Sequence, residues 1–344
     1  MQNIIREKNT MNVVYTFDDG YTDITMVSML SFLEANKEVL DVTICIVDCG
    51  ITENNLNRIK QLVTSYKRNI RIVKAVNIEK RIPIKLDTGY WSVVCYVRLF
   101  FAEMFPDIDR IMHIDCDTLV RGNLDNVYYT NLDNYAGALC YDCLPSVKYQ
   151  AGFQRTDQYF SNGFMIFNLE YIRKHDIEDM FIDYIVKQKG VLPHLDQDVV
   201  SAVLKNKVFL LPAKYNVLSV TFALKSDSVS VFANDEPYYS KNEILEALDN
   251  PIIIHFVGYR FYNKPWIQPC YHPYNQEWIN TYKKLIGCKE SKLKFRKSGM
   301  GKRFALFIWN IAGNVSLIER IERQIEVNYF RKKSLKYYEK IGNQ

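Results

Sequence analysis

Short apolar runs alternate with longer amphipathic segments along the first third of the chain. Strands are predicted at residues 12–17, 42–47, 70–75 and 110–114. Helices are predicted between them at residues 23–36, with Asp23 as N-cap, at residues 52–66, with Thr52 as N-cap, and at residues 91–105, which end before Pro106. Because strands that alternate with helices favour parallel pairing, the pattern predicts an α/β sheet covered on both faces.

The rest of the chain continues this pattern and then changes character. Further strands are predicted at residues 136–141, 164–168, 208–211 and 252–256, and helices near residues 177–188 and 197–204. Residues 285–303 are polar and basic, which is typical of a linker or boundary. The sequence therefore predicts one folded domain at residues 1–284 and a basic, partly helical C-terminal extension at residues 285–344.

Composition places the chain among ordinary globular proteins. Of its 344 residues, 48% are hydrophobic and 24% are charged, which is enough apolar material to form a core. Several of its eight cysteines lie within apolar runs, and the one C-x-x-C, Cys140 and Cys143, has no second pair at zinc-finger spacing. The N-terminal residues lack an apolar signal segment, and no run approaches the ~20 apolar residues that span a bilayer. These features predict reduced cysteines in a cytoplasmic protein.

The formal net charge of +5 conceals an asymmetry. From Lys283 onward there are 16 Lys/Arg against 5 Asp/Glu, a balance of +11, which leaves −6 for the remainder. Basic residues at 289–303 precede an apolar run at 304–311, which begins a helical stretch that ends in the basic residues 331–333. This pattern suits an anionic membrane surface, such as the inner face of the cell membrane. A docked helix with a solvated basic flank explains it equally well.

Asp115, Cys116 and Asp117 directly follow the apolar strand predicted at 110–114. On an extended strand, residues i and i+2 point to the same side, so the two carboxylates are expected to face one spot. Neighbouring carboxylates repel each other unless a cation separates them, and a hard divalent cation that also binds phosphate oxygens fits this chemistry. The alternative for an isolated Asp-x-Asp is a turn whose side chains are solvated or cap the backbone.

Polar residues at the ends of other predicted elements extend this chemistry. In open α/β sheets, ligands bind beyond the carboxyl ends of the strands. Asp18 and Tyr21 follow the first strand, where a carboxylate and an aromatic ring can bind the edge and the face of a base. Ser161 and Asn162 precede a predicted strand and suit sugar hydroxyls. The ordinary alternative for Asp18 and Tyr21 is a βα turn with a helix cap, and for Ser161 and Asn162 it is a loop before a strand.

Further candidates lie in the second half of the chain. Asp196 and Gln197 begin a predicted helix, which capping and the helix macrodipole explain as well as a polar pocket does. His255 ends an apolar strand, where histidine is more often a satisfied core residue, yet a neutral imidazole supplies the third ligand that two aspartates lack. Gly258 allows backbone to approach a phosphate, and Lys264 adds positive charge.

In this order, the motifs resemble the retaining sugar-nucleotide transferases of glycosyltransferase family 8, the group that includes glycogenin. The likeness spans about residues 12–270 and is carried by residues 15–21, 96–100, 115–117, 138–142, 159–169, 196–198 and 255–266. It implies a GT-A type fold, which is Rossmann-like with a mixed, mostly parallel sheet, and a UDP-hexose donor with Mn²⁺ or Mg²⁺. The implied acceptor is a glycan or a lipid-linked glycan, as in lipopolysaccharide or surface polysaccharide synthesis. No nucleic acid partner is expected.

The resemblance also implies roles for single residues. The implied metal ligands are Asp115, Asp117 and His255. The residues implied to hold the nucleotide and the donor sugar are Thr16, Asp18, Tyr21, Arg98, Asp115, Cys116, Asp117, Ser161, Asn162, Gly258 and Lys264. The implied catalytic residues are Asp142, Asp196 and Gln197, with Gln197 beneath the anomeric carbon. Ser161 stands where the family commonly has Asn.

Two other interpretations are open at this point. The sequence from Asp115 to Thr118 also resembles the D-x-D-x-T motif of haloacid-dehalogenase-type phosphatases in its aspartate pair and nearby threonine, with Asp115 as nucleophile. That motif is expected on a first strand, whereas several βα units precede it here. A catalytically inactive sugar-nucleotide-binding protein is the third interpretation, which the intact aspartate pair and His255 disfavour.

Overall fold

The structure, a computed structural model, describes residues 10–89, 91–143, 148–149, 151–232, 237–258, 262–287 and 296–312, and isolated helical residues between 317 and 328. Part of the predicted linker and the basic residues 331–333 lie outside the described residues. Every predicted site residue lies inside them.

Strands and helices alternate through most of the described chain. The strands are β1 (Met11–Phe17), β2 (Val42–Asp48), β3 (Asn69–Lys74), β4 (Arg110–Ile114), β5 (Thr118–Val120), β6 (Gly137–Tyr141), β7 (Phe160–Asn168), β8 (Val208–Leu210), β9 (Val217–Leu218), β10 (Ile253–His255), β11 (Ile267–Gln268) and β12 (Arg296–Lys297). The α-helices are α1 (Thr22–Ala35), α2 (Glu53–Ser65), α3 (Ile78–Arg81), α4 (Phe101–Met104), α5 (Asp125–Tyr128), α6 (Leu169–Lys174), α7 (Ile177–Lys187), α8 (Leu195–Val203), α9 (Ser219–Leu224), α10 (Ser228–Phe232), α11 (Lys241–Asp249), α12 (Asn275–Ile286) and α13 (Met300–Ala312). Short 3₁₀ helices are found at Asp19–Tyr21, Val93–Phe100, Ala213–Tyr215 and Lys225–Asp227.

Among the described residues, seven strands form the main sheet in the order β3-β2-β1-β4-β7-β6-β8. Neighbouring strands are parallel except where β7 pairs with β4 and with β6. The predicted mixed, mostly parallel α/β sheet is therefore confirmed. A second sheet, β5-β10-β9, places His255 of β10 opposite Thr118 of β5, and β11 pairs with β12.

The centre of the main sheet is covered on both faces, which explains why its strands are almost continuously apolar. β1 and β2 each contain a single residue that is partly exposed. Helix α1 packs with a nearly completely buried surface, and large rings such as Tyr15, Phe17, Phe101 and Phe167 are almost inaccessible to solvent. Burying each such side chain contributes about 1.5–3 kcal/mol. The sheet is thus a well-packed platform for the polar residues at its edge.

Strand directions bring the candidate residues to one edge of this platform. The carboxyl ends of β1 and β4 meet there because the two strands are parallel neighbours, and Asp18 and Asp115 follow them. β7 is antiparallel to β4, so its first residues, Ser161 and Asn162, lie at the same edge. The Asp115 N–H donates to the Gly163 carbonyl at 2.9 Å, which joins the turn after β4 to the start of β7.

One predicted helix cap is wrong and the other is confirmed. Asp23 is not the N-cap of α1, because the helix begins at Thr22 and the Asp23 carboxylate accepts from Arg58 at 2.5 Å. This ion pair joins α1 to α2, so the Asp23 carboxylate links the two helices instead of capping the first. Thr52 does cap α2, since its Oγ1 accepts from the Asn55 N–H at 3.4 Å.

Two element predictions also need correction. The helix predicted at 91–105 is a 3₁₀ helix, Val93–Phe100, followed by the single turn of α4. Valines within this segment lower its α-helix propensity. The strand predicted at 164–168 begins earlier, at Phe160. Ser161 and Asn162 are residue types common in loops, but both lie within this strand, and Ser161 pairs opposite Cys140 of β6.

Candidate active site

Asp115 and Asp117 lie in a turn, not on an extended strand. β4 ends at Ile114 and β5 begins at Thr118, so the two aspartates occupy the link between these strands. The Thr118 hydroxyl donates to the Asp115 carbonyl at 2.9 Å and lies 2.7 Å from the Ser28 hydroxyl, which holds the turn against α1. The prediction that both carboxylates face the same side because they lie on an extended strand is therefore wrong. The turn nevertheless brings both carboxylates to one place.

His255 and Lys264 join these two aspartates in a charged group that we name the metal cluster. His255 Nε2 lies 3.1 Å from Asp117 Oδ1 and 3.7 Å from Asp115 Oδ2. Lys264 Nζ donates to Asp117 Oδ2 at 2.5 Å. Burial favours a higher pKa for the Asp117 carboxyl, but Lys264 and His255 hold that pKa well below its usual range. Burial lowers the pKa of His255, and the Asp117 carboxylate more than offsets this, so the pKa is raised.

The chemistry of this donor set fits a divalent cation. Ligand atoms of Asp115, Asp117 and His255 lie within 4.8 Å of one another. Carboxylate oxygens combined with an imidazole nitrogen suit ions such as Mn²⁺. The Lys264 ammonium already lies against one of these carboxylates, which shows that the position attracts positive charge.

Gly163 and Asn216 hold His255 from behind. A Cβ at position 163 would lie 2.2 Å from His255 Nδ1, so glycine is required for the ring to occupy this place. Asn216 Oδ1 lies 3.2 Å from the same nitrogen, and Asn216 Nδ2 donates to the Ser161 hydroxyl at 2.9 Å. These contacts link the side chains of Ser161, Asn216 and His255, and all three are buried.

A second group surrounds Arg98, and we name it the arginine cluster; its members are Arg98, Asp142, Asn162, Asp196 and Gln197. Arg98 Nη2 lies 3.1 Å from Asp115 Oδ1, and Arg98 Nε lies 3.3 Å from Asp196 Oδ2. Arg98 Nη1 donates to the Asn162 carbonyl at 2.9 Å, and Asn162 Nδ2 donates to Asp196 Oδ2 at 2.6 Å. Burial lowers the pKa of Arg98, but its two carboxylate partners outweigh burial and raise it. The guanidinium therefore stays charged.

Gln197 extends the arginine cluster to Asp142, because its Nε2 donates to Asp142 Oδ2 at 2.9 Å. Behind it, the Tyr159 hydroxyl donates to Asp198 Oδ1 at 2.6 Å, and the His194 N–H donates to Asp198 Oδ2 at 2.8 Å. Burial raises the pKa of Asp198 to about 7. These contacts anchor the first turn of α8 and thereby the position of Gln197.

Tyr21 lies between the metal cluster and an open cleft. Its N–H donates to the Asp18 carbonyl at 3.1 Å, and its side chain is 42% exposed. Burial of its hydroxyl end raises the pKa of Tyr21, whereas the nearby Lys264 lowers it. The cleft has a volume of about 620 Å³ and is lined in part by Tyr21, Asn55 and Trp266. An exposed ring beside a polar cleft can stack on a planar group.

The backbone passes next to the metal cluster at Thr16, Cys116 and Gly258. The Cys116 thiol donates to the Thr16 carbonyl at 3.5 Å, which joins the turn after β4 to the end of β1. At Gly258 a Cβ would lie 3.5 Å from Lys264 Cε, so the chain passes close to the lysine. These positions therefore shape the site through where their backbone runs.

The predicted site residues thus lie along one edge of the sheet and are linked by contacts, while their individual roles stay predictions. Sequence reasoning missed Asn216, Gly163 and Tyr159. Asn216 lies between a short 3₁₀ helix and β9, where no periodic pattern marks it. Gly163 carries a usable signal, because glycine inside a buried strand often marks a close approach by another group.

Comparisons with known proteins agree with one another. Residues 12–270 match the sequence profile of Glycosyl transferase family 8. The chain is 25% identical over 317 residues to lipopolysaccharide 1,2-glucosyltransferase of Escherichia coli, which covers 87% of this chain and 88% of that protein. It is 26% identical over 289 residues to lipopolysaccharide 1,3-galactosyltransferase of Salmonella typhimurium, which covers 80% of this chain and 78% of that protein.

A solved structure shows the same architecture. The galactosyltransferase LgtC, in complex with donor and acceptor sugar analogs, matches with a TM-score of 0.68 and 23% identity, over 81% of this chain and 98% of that one. This likeness establishes the fold as the GT-A type that the sequence predicted. The family match spans most of the chain, including the turn with Asp115 and Asp117. The chain therefore belongs to glycosyl transferase family 8 and is a glycosyltransferase.

Proposed function

We propose that this protein is a metal-dependent, retaining glycosyltransferase that transfers glucose or galactose from a UDP-sugar to a glycan or glycolipid. The observation that carries the proposal is the metal cluster, in which Asp115, Asp117 and His255 converge beside Lys264 on a family 8 fold. Two relatives are named for lipopolysaccharide glucosyl and galactosyl transfer, which supports an acceptor in lipopolysaccharide or surface polysaccharide synthesis.

The metal cluster is assigned to the diphosphate. Asp115, Asp117 and His255 would hold Mn²⁺, or Mg²⁺, through two carboxylates and the His255 Nε2. When bound, such an ion stabilises negative charge on the departing diphosphate. Lys264 supplies a second positive charge at the same place and can donate to a phosphate oxygen. Gly258 lies beside Lys264 and would let the backbone approach the same phosphate.

The uridine is assigned to the end of the site formed by Asp18 and Tyr21. The exposed Tyr21 ring offers a face for stacking on the base, and the Asp18 carboxylate can accept from its N–H. The ends of β1 and β4, joined by the contact between the Cys116 thiol and the Thr16 carbonyl, would border the ribose, and Asp117 would accept a hydroxyl hydrogen there.

The donor sugar is assigned to the arginine cluster. Asn162 Oδ1 is buried and has no hydrogen-bond partner among the described residues, so it is ready to accept from a sugar hydroxyl. Arg98 and Asp196 lie beside it and supply a donor and an acceptor. Ser161, whose hydroxyl contacts Asn216, borders the same end of the site.

The arrangement favours attack from the face that UDP leaves. A double displacement needs a protein nucleophile at the anomeric carbon, and the residue assigned to that place is Gln197, an amide and a poor nucleophile. The bond from the anomeric carbon to the phosphate oxygen breaks while the bond to the acceptor oxygen forms on the same face. A phosphate oxygen of UDP takes the acceptor's proton, and Asp142 and Asp196 orient the sugar.

The deciding experiment measures acceptor-free hydrolysis of a panel of UDP-sugars with and without Mn²⁺. We expect release of UDP from UDP-glucose or UDP-galactose that depends on the metal and stops with EDTA. Phosphate release from simple phosphomonoesters without consumption of UDP-sugar would indicate the phosphatase instead, and family membership disfavours that outcome. UDP binding without hydrolysis or transfer would indicate an inactive binding protein.

We further propose that the C-terminal extension, residues 285–344, attaches the catalytic domain, residues 1–284, to the inner face of the cell membrane as a peripheral cytoplasmic protein. In α13, Phe304 is 68% exposed and Phe307 is 51% exposed, while Leu306 is buried. The extension holds 14 Lys/Arg against 5 Asp/Glu, a balance of +9, whereas residues 1–284 have a balance of −4. This asymmetry supports contact with anionic lipid. No helix among the described residues is both long and apolar enough to cross a membrane.

Sedimentation with anionic vesicles tests this attachment. We expect the full-length protein to pellet and a chain ending at Gly287 to stay in solution. Phe304→Ser combined with Phe307→Ser should weaken pelleting, whereas Leu245→Ser, at an exposed apolar position of α11, should not. Equal pelleting of the truncated and full-length chains would contradict the proposal.

A further inference from the structure

Asn216 lies behind His255, on the side away from the two aspartates. It is 5% exposed and sits between the 3₁₀ helix Ala213–Tyr215 and β9. Its amide has two contacts: the oxygen lies 3.2 Å from His255 Nδ1, and the nitrogen donates to the Ser161 hydroxyl at 2.9 Å. No role for Asn216 follows from the sequence motifs.

We propose that Asn216 is a positioning residue that keeps the proton of His255 on Nδ1 and so leaves Nε2 free to bind the metal. The inference rests on the proposed function, since it assigns a supporting residue to the same metal cluster. A neutral imidazole carries one proton, and the hydrogen bond made by one ring nitrogen decides which nitrogen is left as ligand. The amide oxygen of Asn216 can only accept, so it favours a proton on Nδ1 once Nε2 binds the metal in place of its contact with Asp117.

Ser161 and Gly163 make this selection effective. The Ser161 hydroxyl accepts from Asn216 Nδ2, and the amide oxygen faces the imidazole. Gly163 lies so close to the ring that any Cβ there would be 2.2 Å from Nδ1, which limits ring movement. A reversed amide would direct its N–H groups at Nδ1 and move the proton to Nε2, in the direction of Asp117. Ser161 therefore serves the histidine in addition to bordering the sugar.

Variants at position 216 separate this role from packing. Asn216→Leu keeps the branched shape of the side chain and removes the acceptor, and we expect Mn²⁺ binding in the presence of UDP, followed by electron paramagnetic resonance, to weaken about 10–100-fold. Asn216→Asp keeps an acceptor and should remain within about threefold of the natural protein. Ser161→Ala leaves the amide free to reverse and should give an intermediate loss. Asn36→Leu is the matched control, because the Asn36 side chain is also buried and, among the described residues, bonds only to the backbone of Phe32 and Leu124.

A second measurement follows the ring proton directly. In the protein loaded with Mg²⁺ and UDP, the Nδ1–H proton of His255 should give an exchange-protected resonance in the natural protein and in Asn216→Asp but not in Asn216→Leu. Comparison with His255→Asn identifies the resonance among the five histidines.

Each outcome decides between the two proposals. Unchanged Mn²⁺ affinity in Asn216→Leu, equal losses in the Leu and Asp variants, or an unprotonated Nδ1 in the natural protein would overturn the role of Asn216. Failure of the natural protein to bind Mn²⁺ with UDP would instead overturn the proposed metal site.

Discussion

The metal cluster and the arginine cluster share Asp115 as a contact yet differ in construction. In the metal cluster, Asp117 is neutralised by Lys264 and His255, and the two aspartates come from one turn. In the arginine cluster, Arg98 is shared between Asp115 and Asp196, and amides of Asn162 and Gln197 complete the contacts. The first concentrates charge at one place, whereas the second spreads directional hydrogen bonds over several elements.

This difference indicates a division of labour. Concentrated charge suits a diphosphate, whose binding depends mainly on how much positive charge lies near it. Directional donors and acceptors suit a sugar, because hydroxyls are distinguished by geometry. Changes in the first cluster should therefore abolish the reaction, and changes in the second should alter sugar use while nucleotide binding persists.

Asp115→Asn and Asp117→Asn should have the largest effects. Each removes a negative charge that the metal requires, and we expect kcat/KM to fall about 10³-fold or more. Transfer from UDP-glucose or UDP-galactose at saturating Mn²⁺ is the measurement. Near-normal turnover in either variant would show that the reaction does not require the metal cluster. It would also contradict the proposed division of labour between the two clusters.

Arg98→Lys should come next and should separate the two clusters. Lysine keeps the charge but loses the planar fork that reaches Asp115, Asp196 and the Asn162 carbonyl, so we expect kcat/KM to fall about 10²-fold. Affinity for UDP with Mn²⁺, measured by calorimetry, should change less than about threefold. An equal loss of UDP affinity would mean that Arg98 works mainly through Asp115.

Gln197→Ala should have a smaller effect confined to the sugar. It removes the donor to Asp142 Oδ2, so we expect kcat to fall about 10-fold with little change in Mn²⁺ affinity. Steady-state kinetics with both UDP-hexoses check this, and Gln61→Ala on the exposed face of α2 is the control. Unchanged kcat in Gln197→Ala would exclude this amide from the reaction.

Glu178 tests the support of the arginine cluster through pH. Its carboxylate accepts from the Ala102 and Glu103 N–H groups, just after the 3₁₀ helix that carries Arg98. Burial raises the pKa of Glu178 from 4.5 to about 7. Because the folded protein binds this proton more tightly than the unfolded chain, the free energy of unfolding should fall as pH rises from about 4.5 to about 7, and then level off.

Glu178→Gln should remove this pH dependence, because glutamine keeps an acceptor and cannot ionise. The variant should lose a change in the free energy of unfolding of roughly 1–3 kcal/mol between about pH 4.5 and about pH 7. Denaturant unfolding of both proteins at several pH values measures it. An identical slope in the two proteins would show that Glu178 does not couple the scaffold of Arg98 to pH.

The fold was largely predictable because its signals are local. Apolar runs marked β1, β2 and β4, and the cap at Thr52 has a short-range signature. Errors arose where a neighbour in space changed the outcome. Asp23 pairs with Arg58 instead of capping α1, and pairing with β6 draws Ser161 into β7.

The sequence by itself determined the chemistry and the family. It supplied two carboxylates one residue apart, a histidine at a strand end, a following lysine and the ordered motifs over residues 12–270, all of which depend on residue type and order. The tertiary structure decided how these residues meet. It placed Asp115 and Asp117 in a turn, brought His255 to Asp117 across 138 residues, and put Asn216 and Gly163 behind the imidazole. Contacts of this kind depend on the packing of distant strands, which a local pattern of side chains does not encode.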